Sequence, residues 1–168
     1  MIQALCLLSC INAVQKKQGK VFVEFFDFEK HFNVISLPAF CTILHELGLS
    51  EFDVEALECY YKRAHMQVVN DNGTTSAKIQ LRRGLRKGCS LSPILGGMMV
   101  NTMIRWLETY SGESGVMTNN LCFADGTTLI SEGLHHMNVL LDCIHQFCTW
   151  ADMHINMCKS EATAYDFC

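Results

Sequence analysis

Two apolar segments that lie far apart in the sequence each end in an aspartate suited to metal chemistry. Asp27 follows the apolar and aromatic run 21–26, and Asp125 follows Phe123-Ala124 and precedes Gly126. Carboxylate oxygens are the ligands that Mg²⁺ prefers in proteins. If the two segments are neighbouring strands of one sheet, their carboxylates can share a divalent cation. Taken alone, Asp27 also fits an ordinary turn residue at a strand end.

A basic cluster lies between the two aspartates in the sequence. The formal net charge of the chain is −4, yet five cations fall within ten residues of this segment. The cluster is either a solvated charged face or a local surface for phosphate groups. Its members are Lys78, Arg82, Arg83, Arg86 and Lys87.

In this order, the segments resemble the polymerase motifs of reverse transcriptases, most closely those of non-LTR retrotransposons. The segment from Asp27 to Asn33 is similar to the family pattern Asp-x-x-x-Ala-Phe-Asp. Residues 82–93 are similar to Arg-x-Gly-x-x-Gln-Gly-x-x-x-Ser-Pro, and residues 123–126 to Tyr/Phe-Ala-Asp-Asp. A fourth segment, within 150–161, is similar to the family's Gly-Leu-x-Ile-Asn-x-x-Lys-Thr-Glu, with matches at Ile155, Asn156, Lys159 and Glu161.

The resemblance implies an RNA-directed DNA polymerase that transfers nucleotides onto a primer 3′-hydroxyl. Asp27 and Asp125 would be its catalytic residues, and with the backbone carbonyl of Phe28 they would hold Mg²⁺ or Mn²⁺. The implied partners are an RNA template, a DNA primer and deoxynucleoside triphosphates.

The resemblance also implies a site for the nucleotide and the template. Phe32 would lie under the sugar and exclude a ribose 2′-hydroxyl, and Lys159 would approach the leaving phosphates as an acid. Lys159 alone fits a surface lysine equally well. The nucleotide and template residues would be Phe32, Arg86, Lys87, Gly88, Ser92 and Lys159, with phosphate contacts from Lys78, Arg82 and Arg83.

Three site positions depart from the family pattern. Gly126 replaces the second aspartate of the pair, Lys87 replaces a glutamine, and His31 replaces an alanine. Loss of one anionic ligand predicts weaker metal binding and impaired catalysis. An inactive retroelement remnant and an RNA-binding module therefore stay as alternatives. Gly96 and Gly97 interrupt a predicted helix at about 1 kcal/mol each relative to alanine, and no compensating role is expected for them.

The pattern of elements predicts an α+β fold, and the resemblance specifies a reverse-transcriptase-like palm with partial fingers elements. A small antiparallel sheet backed by helices is expected. We expect a single domain over 1–168, with an N-terminal helix 1–17, a palm core over about 18–166, and no thumb, endonuclease or RNase H segment. In the helix 1–17, Leu5, Leu8, Ile11 and Val14 are predicted to share one apolar face.

The other predicted elements follow from apolar periodicity and turn signals. Asn70 to Gly73 is the strongest hairpin signal. The predicted elements are a strand 21–26, helices 38–47, 51–65, 92–110 and 133–151, a hairpin joining 116–123 to 127–130, and a strand or turn at 154–156.

Composition favours a folded intracellular protein. Of its 168 residues, 49% are hydrophobic and ten are cysteines. Most cysteines lie in apolar segments, which favours reduced thiols over a disulfide framework. No signal peptide or membrane span is predicted, so we expect a cytoplasmic or nuclear protein that is not secreted. A zinc site at Cys143, His145 and Cys148 is a weaker alternative, and His135 and His136 are expected on the surface.

Overall fold

In the computed structural model, which describes residues 2–86, 88–112, 119–123 and 126–167, six strands form two antiparallel sheets. The strands are β1 (Lys20–Asp27), β2 (His65–Met66), β3 (Ile79–Gln80), β4 (Asn119–Phe123), β5 (Gly126–Ser131) and β6 (Glu161–Asp166). The main sheet has the spatial order β4-β5-β1-β6, and β2 pairs with β3 in a separate small sheet.

The same described residues form six α-helices and one 3₁₀ turn. The helices are α1 (Ile2–Lys16), α2 (His31–Val34), α3 (Leu37–Glu46), α4 (Glu51–Lys62), α5 (Ser92–Gly112) and α6 (Leu134–Ala151), and the 3₁₀ turn is Met157–Lys159. The predicted α+β class is confirmed. None of the described helices is long and apolar enough to cross a membrane.

The central strand β1 is buried on both of its faces. Val21 and Val23 pack with Val14 of α1 on one side of the sheet, whereas Phe26 joins the larger core formed with α3 to α6. Side chains alternate between the faces of a strand. The continuous apolar run 21–26 therefore fits a strand covered on both sides, and its burial fixes the position of Asp27 at its end.

Helices α5 and α6 form the layer beneath the main sheet. Met99, Met103 and Leu107 of α5 are 0–1% exposed, as are Leu140 and Ile144 of α6. Burial of a large apolar side chain contributes about 1.5–3 kcal/mol. These contacts hold α5 against the sheet. Its N-terminal end begins with Ser92 and Pro93, the last residues of the motif 82–93.

The predicted contact face of α1 is wrong in part. Val14 is buried, but Leu5 and Leu8 are 58% and 54% exposed. The residues of α1 that pack beside Val14 are Leu7, Cys10 and Ile11. The helix is apolar on several sides, so its periodicity did not identify which side meets the sheet.

The prediction that His136 lies on the surface is also wrong. His136 is 7% exposed, and its Nδ1 lies 3.1 Å from Ser131 Oγ. Burial lowers the pKa of His136, and the adjacent His135 lowers it further. Its neighbour Met137 is buried on the same side of α6.

The C-terminal strand was missed in the sequence. Ile155 forms an isolated bridge with Phe28, within the predicted segment 154–156. The longer strand β6 follows it and pairs with β1. Most side chains of β6 are exposed, so it lacks the apolar alternation that marks a half-buried strand.

The predicted hairpin around Asn70 is confirmed, with shorter strands than expected. Gly73 has φ +75°, and its N–H donates to the Asn70 carbonyl over 2.9 Å. Asn70 Oδ1 also accepts from the Thr74 N–H over 2.9 Å. The regular pairing is limited to β2 and β3, with one further bridge between Val69 and Thr75.

Candidate active site

Asp27 lies at the end of β1, directly across from β5. Its Cα partner in the antiparallel register is Gly126, the residue that follows Asp125 in the sequence. The Asp27 side chain is 21% exposed, so its carboxylate is reachable by solvent and ions. Asp125, the second predicted catalytic residue, lies outside the described residues. The expected pairing of the two strands is therefore confirmed up to Gly126.

The backbone beyond Asp27 is hydrogen-bonded on one side to the segment that contains Ile155. The Asn156 N–H donates to the Asp27 carbonyl over 2.8 Å, and the Glu29 N–H donates to the His154 carbonyl over 2.8 Å. Successive carbonyls of an extended chain point to opposite edges. The Phe28 carbonyl therefore points to the edge on which Gly126 lies.

Lys159 reaches the carboxylate of Asp27. Its Nζ lies 3.3 Å from Asp27 Oδ2, and its side chain is 68% exposed. The 3₁₀ turn that carries Lys159 is closed by the Lys159 N–H, which donates to the Asn156 carbonyl over 3.0 Å. Because Asn156 is itself bonded to Asp27, the lysine and the aspartate belong to one connected unit.

The chemistry of these donors fits a hard divalent cation. The Asp27 carboxylate and the Phe28 carbonyl are oxygen donors of the type that Mg²⁺ and Mn²⁺ prefer. Within the described ranges, no three His, Cys, Asp or Glu side chains are grouped as a metal site. The described donors alone therefore do not complete a coordination sphere.

A row of aromatic and imidazole rings follows Asp27 and leads from the end of β1 to Phe32. His31 is 3% exposed, with ring centroids 5.7 Å from Phe28 and 5.2 Å from Phe32. It is therefore packed inside the protein, where it supports the Phe32 ring. His31 begins α2, and Lys30, the residue just before it, has φ 47° in the left-handed region.

Gly96 provides the seat for the Phe32 ring. A Cβ atom at Gly96 would lie only 2.6 Å from Phe32 Cε1, closer than real Cβ contacts. The expectation that Gly96 has no compensating role is wrong, because a side chain there would displace the ring. Gly97 has nothing within 4 Å of its virtual Cβ, and the structure gives no reason for it.

Gly84 joins the basic segment to the turn after Phe32. It has φ +83°, and a Cβ there would lie 2.5 Å from the Asn33 carbonyl oxygen. The Gly84 N–H donates to the Ile35 carbonyl over 2.9 Å, and the Leu85 N–H to the Phe32 carbonyl over 2.6 Å. This close backbone contact requires glycine and places the following Arg86 beside Phe32.

Ser92 fixes the loop between Arg86 and α5. It is 5% exposed, and its Oγ donates to the Arg86 carbonyl over 2.6 Å. Its backbone N–H donates to the Cys89 carbonyl over 3.1 Å. The hydroxyl therefore shapes the loop from inside, while its predicted contact with nucleotide or template stays a prediction.

A cleft of about 470 Å³ lies at the N-terminal end of α5. Four of the predicted nucleotide and template residues line it together. Cys89, which was not predicted for the site, also lines it. Lys87, also predicted for this site, lies outside the described residues. The lining consists of Phe32, Arg86, Gly88, Cys89, Ser90, Ser92 and Pro93.

Tyr60, which belongs to none of the sequence motifs, is a neighbour of this cleft. Arg86 Nη1 donates to Tyr60 Oη over 2.8 Å, and the guanidinium carbon lies 5.3 Å from the Tyr60 ring centroid. Tyr60 Oη also lies 3.8 Å from Cys89 Sγ. The Leu91 backbone N–H lowers the pKa of the Cys89 thiol, and Tyr60 adds to this effect. Tyr60 is 26 residues from Arg86, so no local pattern links them.

The predicted phosphate-contact residues fall into different surroundings. Arg82 and Arg83 line a second cavity of about 600 Å³, which Arg86 also borders. Arg83 forms an ion pair with Asp152, which has φ 55° at the end of α6. Lys78 is exposed on the small hairpin. The second cavity therefore has a basic wall whose Arg83 is already held by an acid.

The alternative zinc cluster is not assembled. Cys143 and Cys148 are buried, whereas His145 is exposed, so the three side chains do not converge. Burial raises the pKa of Cys148 to about 11, which disfavours the thiolate that a metal requires. Eight cysteines in the described part of the chain are free thiols: Cys6, Cys10, Cys41, Cys59, Cys89, Cys143, Cys148 and Cys158.

Comparison with known proteins connects this geometry to one family. Residues 2–167 match the family described as reverse transcriptase (RNA-dependent DNA polymerase). The retrovirus-related Pol polyprotein from type-1 retrotransposable element R2 of Popillia japonica is 23% identical over 164 residues, which are 95% of this chain and 23% of that protein. The polyprotein from type-2 retrotransposable element R2DM of Drosophila melanogaster is 26% identical, over 82% of this chain and 13% of that protein. The chain thus spans less than a quarter of these relatives, and the predicted non-LTR resemblance is confirmed.

Solved structures with the same fold include telomerases. A telomerase from Candida tropicalis, in complex with a fragment of telomeric RNA, has a TM-score of 0.76 at 14% identity, covering 97% of this chain and 29% of that one. Apo telomerase from the same organism, truncated from its C-terminal domain, has a TM-score of 0.74 at 17% identity, covering 96% and 34%. At this identity the likeness concerns the fold, and it confirms the predicted reverse-transcriptase-like palm.

Proposed function

The chain belongs to the reverse transcriptase (RNA-dependent DNA polymerase) family, and from this premise we propose that it acts as an RNA-directed DNA polymerase domain. One observation carries the proposal. Asp27 ends the central strand opposite Gly126, and the adjoining segment places Phe32 in the wall of a cleft with Arg86. A carboxylate that can bind a metal, joined by a short segment to a cleft with a cationic wall that can bind phosphates, suits nucleotidyl transfer.

Reverse transcriptase domains generally depend on a divalent metal, and we assign that role here to Mg²⁺ or Mn²⁺. Asp27, the Phe28 carbonyl and Asp125 would hold it. When bound, the metal would activate the primer 3′-hydroxyl and neutralise charge on the leaving pyrophosphate. The described part of the chain would present the Asp27 and Phe28 oxygens at one sheet edge, which the burial of β1 supports.

The cleft would bind and orient the incoming deoxynucleoside triphosphate. Arg86 would donate N–H groups to phosphate oxygens, with Lys87 and Gly88 beside it and the loop held by Ser92. The ring of Phe32, seated on Gly96, would lie under the sugar and leave no room for a ribose 2′-hydroxyl. Orientation of this kind supplies much of the rate enhancement in phosphoryl transfer.

Lys159 has a separate part in the proposed reaction. Its ammonium group, 3.3 Å from Asp27 Oδ2, would turn toward the leaving phosphates and give a proton to them from Nζ. Its high exposure leaves the side chain room for this movement. The connected backbone around Asn156 keeps the lysine within reach of Asp27 throughout.

The RNA template and the DNA primer would lie along the basic side of the domain. Lys78 and Arg82 are exposed and suited to phosphate contact, whereas Arg83 would first have to leave Asp152. Since the chain is acidic overall, this contact would be local and would weaken steeply with salt.

An RNA-binding module without catalysis is the second candidate. The observation in its favour is Gly126, which faces Asp27 across the sheet at the position where the family pattern has an aspartate. With one carboxylate fewer, the metal would be held less tightly, while the basic surface would be unaffected. Salt-sensitive RNA binding without nucleotide addition would identify this case.

Primer extension on an RNA template tests the proposal. We expect the chain to extend a DNA primer with Mn²⁺ or Mg²⁺, and Asp27→Asn to abolish extension. Glu29→Gln is the matched control, because Glu29 is an exposed carboxylate two residues away. Equal activity of the parent and Asp27→Asn, or an equal loss in both variants, would contradict the assignment.

A further inference from the structure

Arg86 stands between two cavities. It lines the 470 Å³ cleft that also contains Phe32, and it lines the 600 Å³ cavity that also contains Arg82. A long, exposed arginine side chain loses considerable rotamer entropy when it is fixed in one place. Something must therefore hold the guanidinium if it is to present its charge to a ligand in a defined direction.

Tyr60 supplies two contacts that do this. The phenol oxygen accepts a hydrogen bond from Arg86 Nη1 over 2.8 Å, and the ring centroid lies 5.3 Å from the guanidinium carbon. The Tyr60 ring is itself oriented by an edge contact with Tyr61, at a centroid distance of 5.3 Å. Tyr61 is 4% exposed, so this support is anchored in the core.

From these contacts we infer that Tyr60 is a positioning residue, which fixes the Arg86 guanidinium to receive the phosphates of a nucleotide in the cleft. This inference rests on the proposed function. A guanidinium has five N–H donors, and the bond to Tyr60 uses one of them. The others form a planar fork suited to phosphate oxygens, and Tyr60 determines where that fork points.

The backbone and the side chain of Arg86 are held by different elements. Ser92 at the start of α5 holds the carbonyl, whereas Tyr60 near the end of α4 holds the guanidinium. Tyr60 is 41% exposed, so shortening it removes little core packing. Its loss should release the side chain of Arg86 while leaving the loop in place.

A double-mutant cycle tests the inference. The probe is dTTP with Ca²⁺, titrated by calorimetry into the parent, Tyr60→Leu, Tyr60→Phe, Arg86→Ala and the Tyr60→Leu/Arg86→Ala double variant. We expect Tyr60→Leu to weaken binding by about tenfold and Tyr60→Phe by about threefold, because the latter keeps the ring contact. In the Arg86→Ala background, Tyr60→Leu should have no further effect.

Phe52→Leu is the matched control, since Phe52 is an aromatic of the same helix and is 78% exposed. It should bind dTTP as the parent does. Additive losses in the double variant would overturn the inference, because they would show that Tyr60 acts without Arg86. A loss in Phe52→Leu equal to that in Tyr60→Leu would overturn it as well.

A measurement without nucleotide separates this inference from the proposed function. The side-chain Nε–H signal of Arg86, assigned by NMR with Arg86→Lys, should report an ordered group in the parent and a mobile one in Tyr60→Leu. Equal order in both would overturn the positioning role. A folded parent with an ordered Arg86 that fails to bind dTTP would instead overturn the proposed function and the nucleotide as the ligand.

Discussion

Replacing Gly96 by alanine should destabilise the protein, whereas the same change at the adjacent Gly97 should stabilise it. At Gly96 the new Cβ would lie 2.6 Å from Phe32 Cε1, while ordinary contact begins at 3.4 Å. The ring or the helix must therefore move by roughly 0.8 Å, the difference between those two distances. At Gly97 the new Cβ meets nothing within 4 Å.

Helix propensity and overpacking change the free energy of unfolding in opposite directions. Alanine is favoured over glycine in a helix interior by about 1 kcal/mol, at both positions. Overpacking at a close contact costs about 1–3 kcal/mol and applies at Gly96 alone. Gly96→Ala should therefore lose up to about 2 kcal/mol in the free energy of unfolding, whereas Gly97→Ala should gain about 1 kcal/mol, so the two variants differ by about 1–3 kcal/mol.

Urea denaturation of the parent and both variants measures this difference. Because the Phe32 ring forms a wall of the cleft, Gly96→Ala should also weaken dTTP binding, and Gly97→Ala should not. Equal stabilisation by both substitutions would refute the argument, since it would mean that the Phe32 ring does not depend on the space at Gly96.

Three further predictions concern Gly84 in the loop, the buried His136, and Lys159 beside Asp27. Gly84→Ala should lower the free energy of unfolding by more than about 2 kcal/mol in urea titrations, because its Cβ would meet the Asn33 backbone at positive φ; a neutral effect would be contrary to this. Since burial lowers the pKa of His136 below its ordinary 6.5, the unfolded state binds its proton more readily, and stability should fall as the pH drops below about 6.5. His136→Gln should flatten that decline, and an unchanged pH profile would speak against it. Lys159→Met should raise Mn²⁺ affinity up to about fivefold in paramagnetic resonance titrations, because it removes a cation that competes at Asp27; lower affinity would exclude such competition.

Local sequence patterns predicted the elements that local physics determines. The run 21–26 predicted the central strand, and the predicted helix 51–65 begins at Glu51 as expected, where Ser50 Oγ accepts from the Asp53 N–H over 3.2 Å. Asn70 to Gly73 predicted a hairpin for similar reasons. Each of these signals depends on neighbours in sequence, and each is confirmed.

The elements that were missed depend on what packs against them. Strand β6 is stabilised by pairing with β1, and its exposed side chains leave no apolar alternation to detect. For α1, Leu5 and Leu8 repeat with helical spacing but are exposed, and Leu7 and Cys10 pack toward the sheet beside Ile11 and Val14. Both outcomes are set by tertiary contact, which periodicity does not encode.

The candidate site shows the same division. Asp27, Phe32 and Arg86 were identified from motif spacing, and the structure brings Phe32 and Arg86 to one cleft. Tyr60 and the seat at Gly96 became visible only in three dimensions, because their partners lie many residues away.

The most direct test of the central claim is primer extension on an RNA template by the parent, Asp125→Ala and Gly126→Asp, with Mn²⁺ and with Mg²⁺. If Asp27 and Asp125 hold the metal together, extension should be lost in Asp125→Ala. It should increase in Gly126→Asp, which adds a carboxylate at the position that faces Asp27. Extension that survives Asp125→Ala, or none in either the folded parent or Gly126→Asp, would contradict the account.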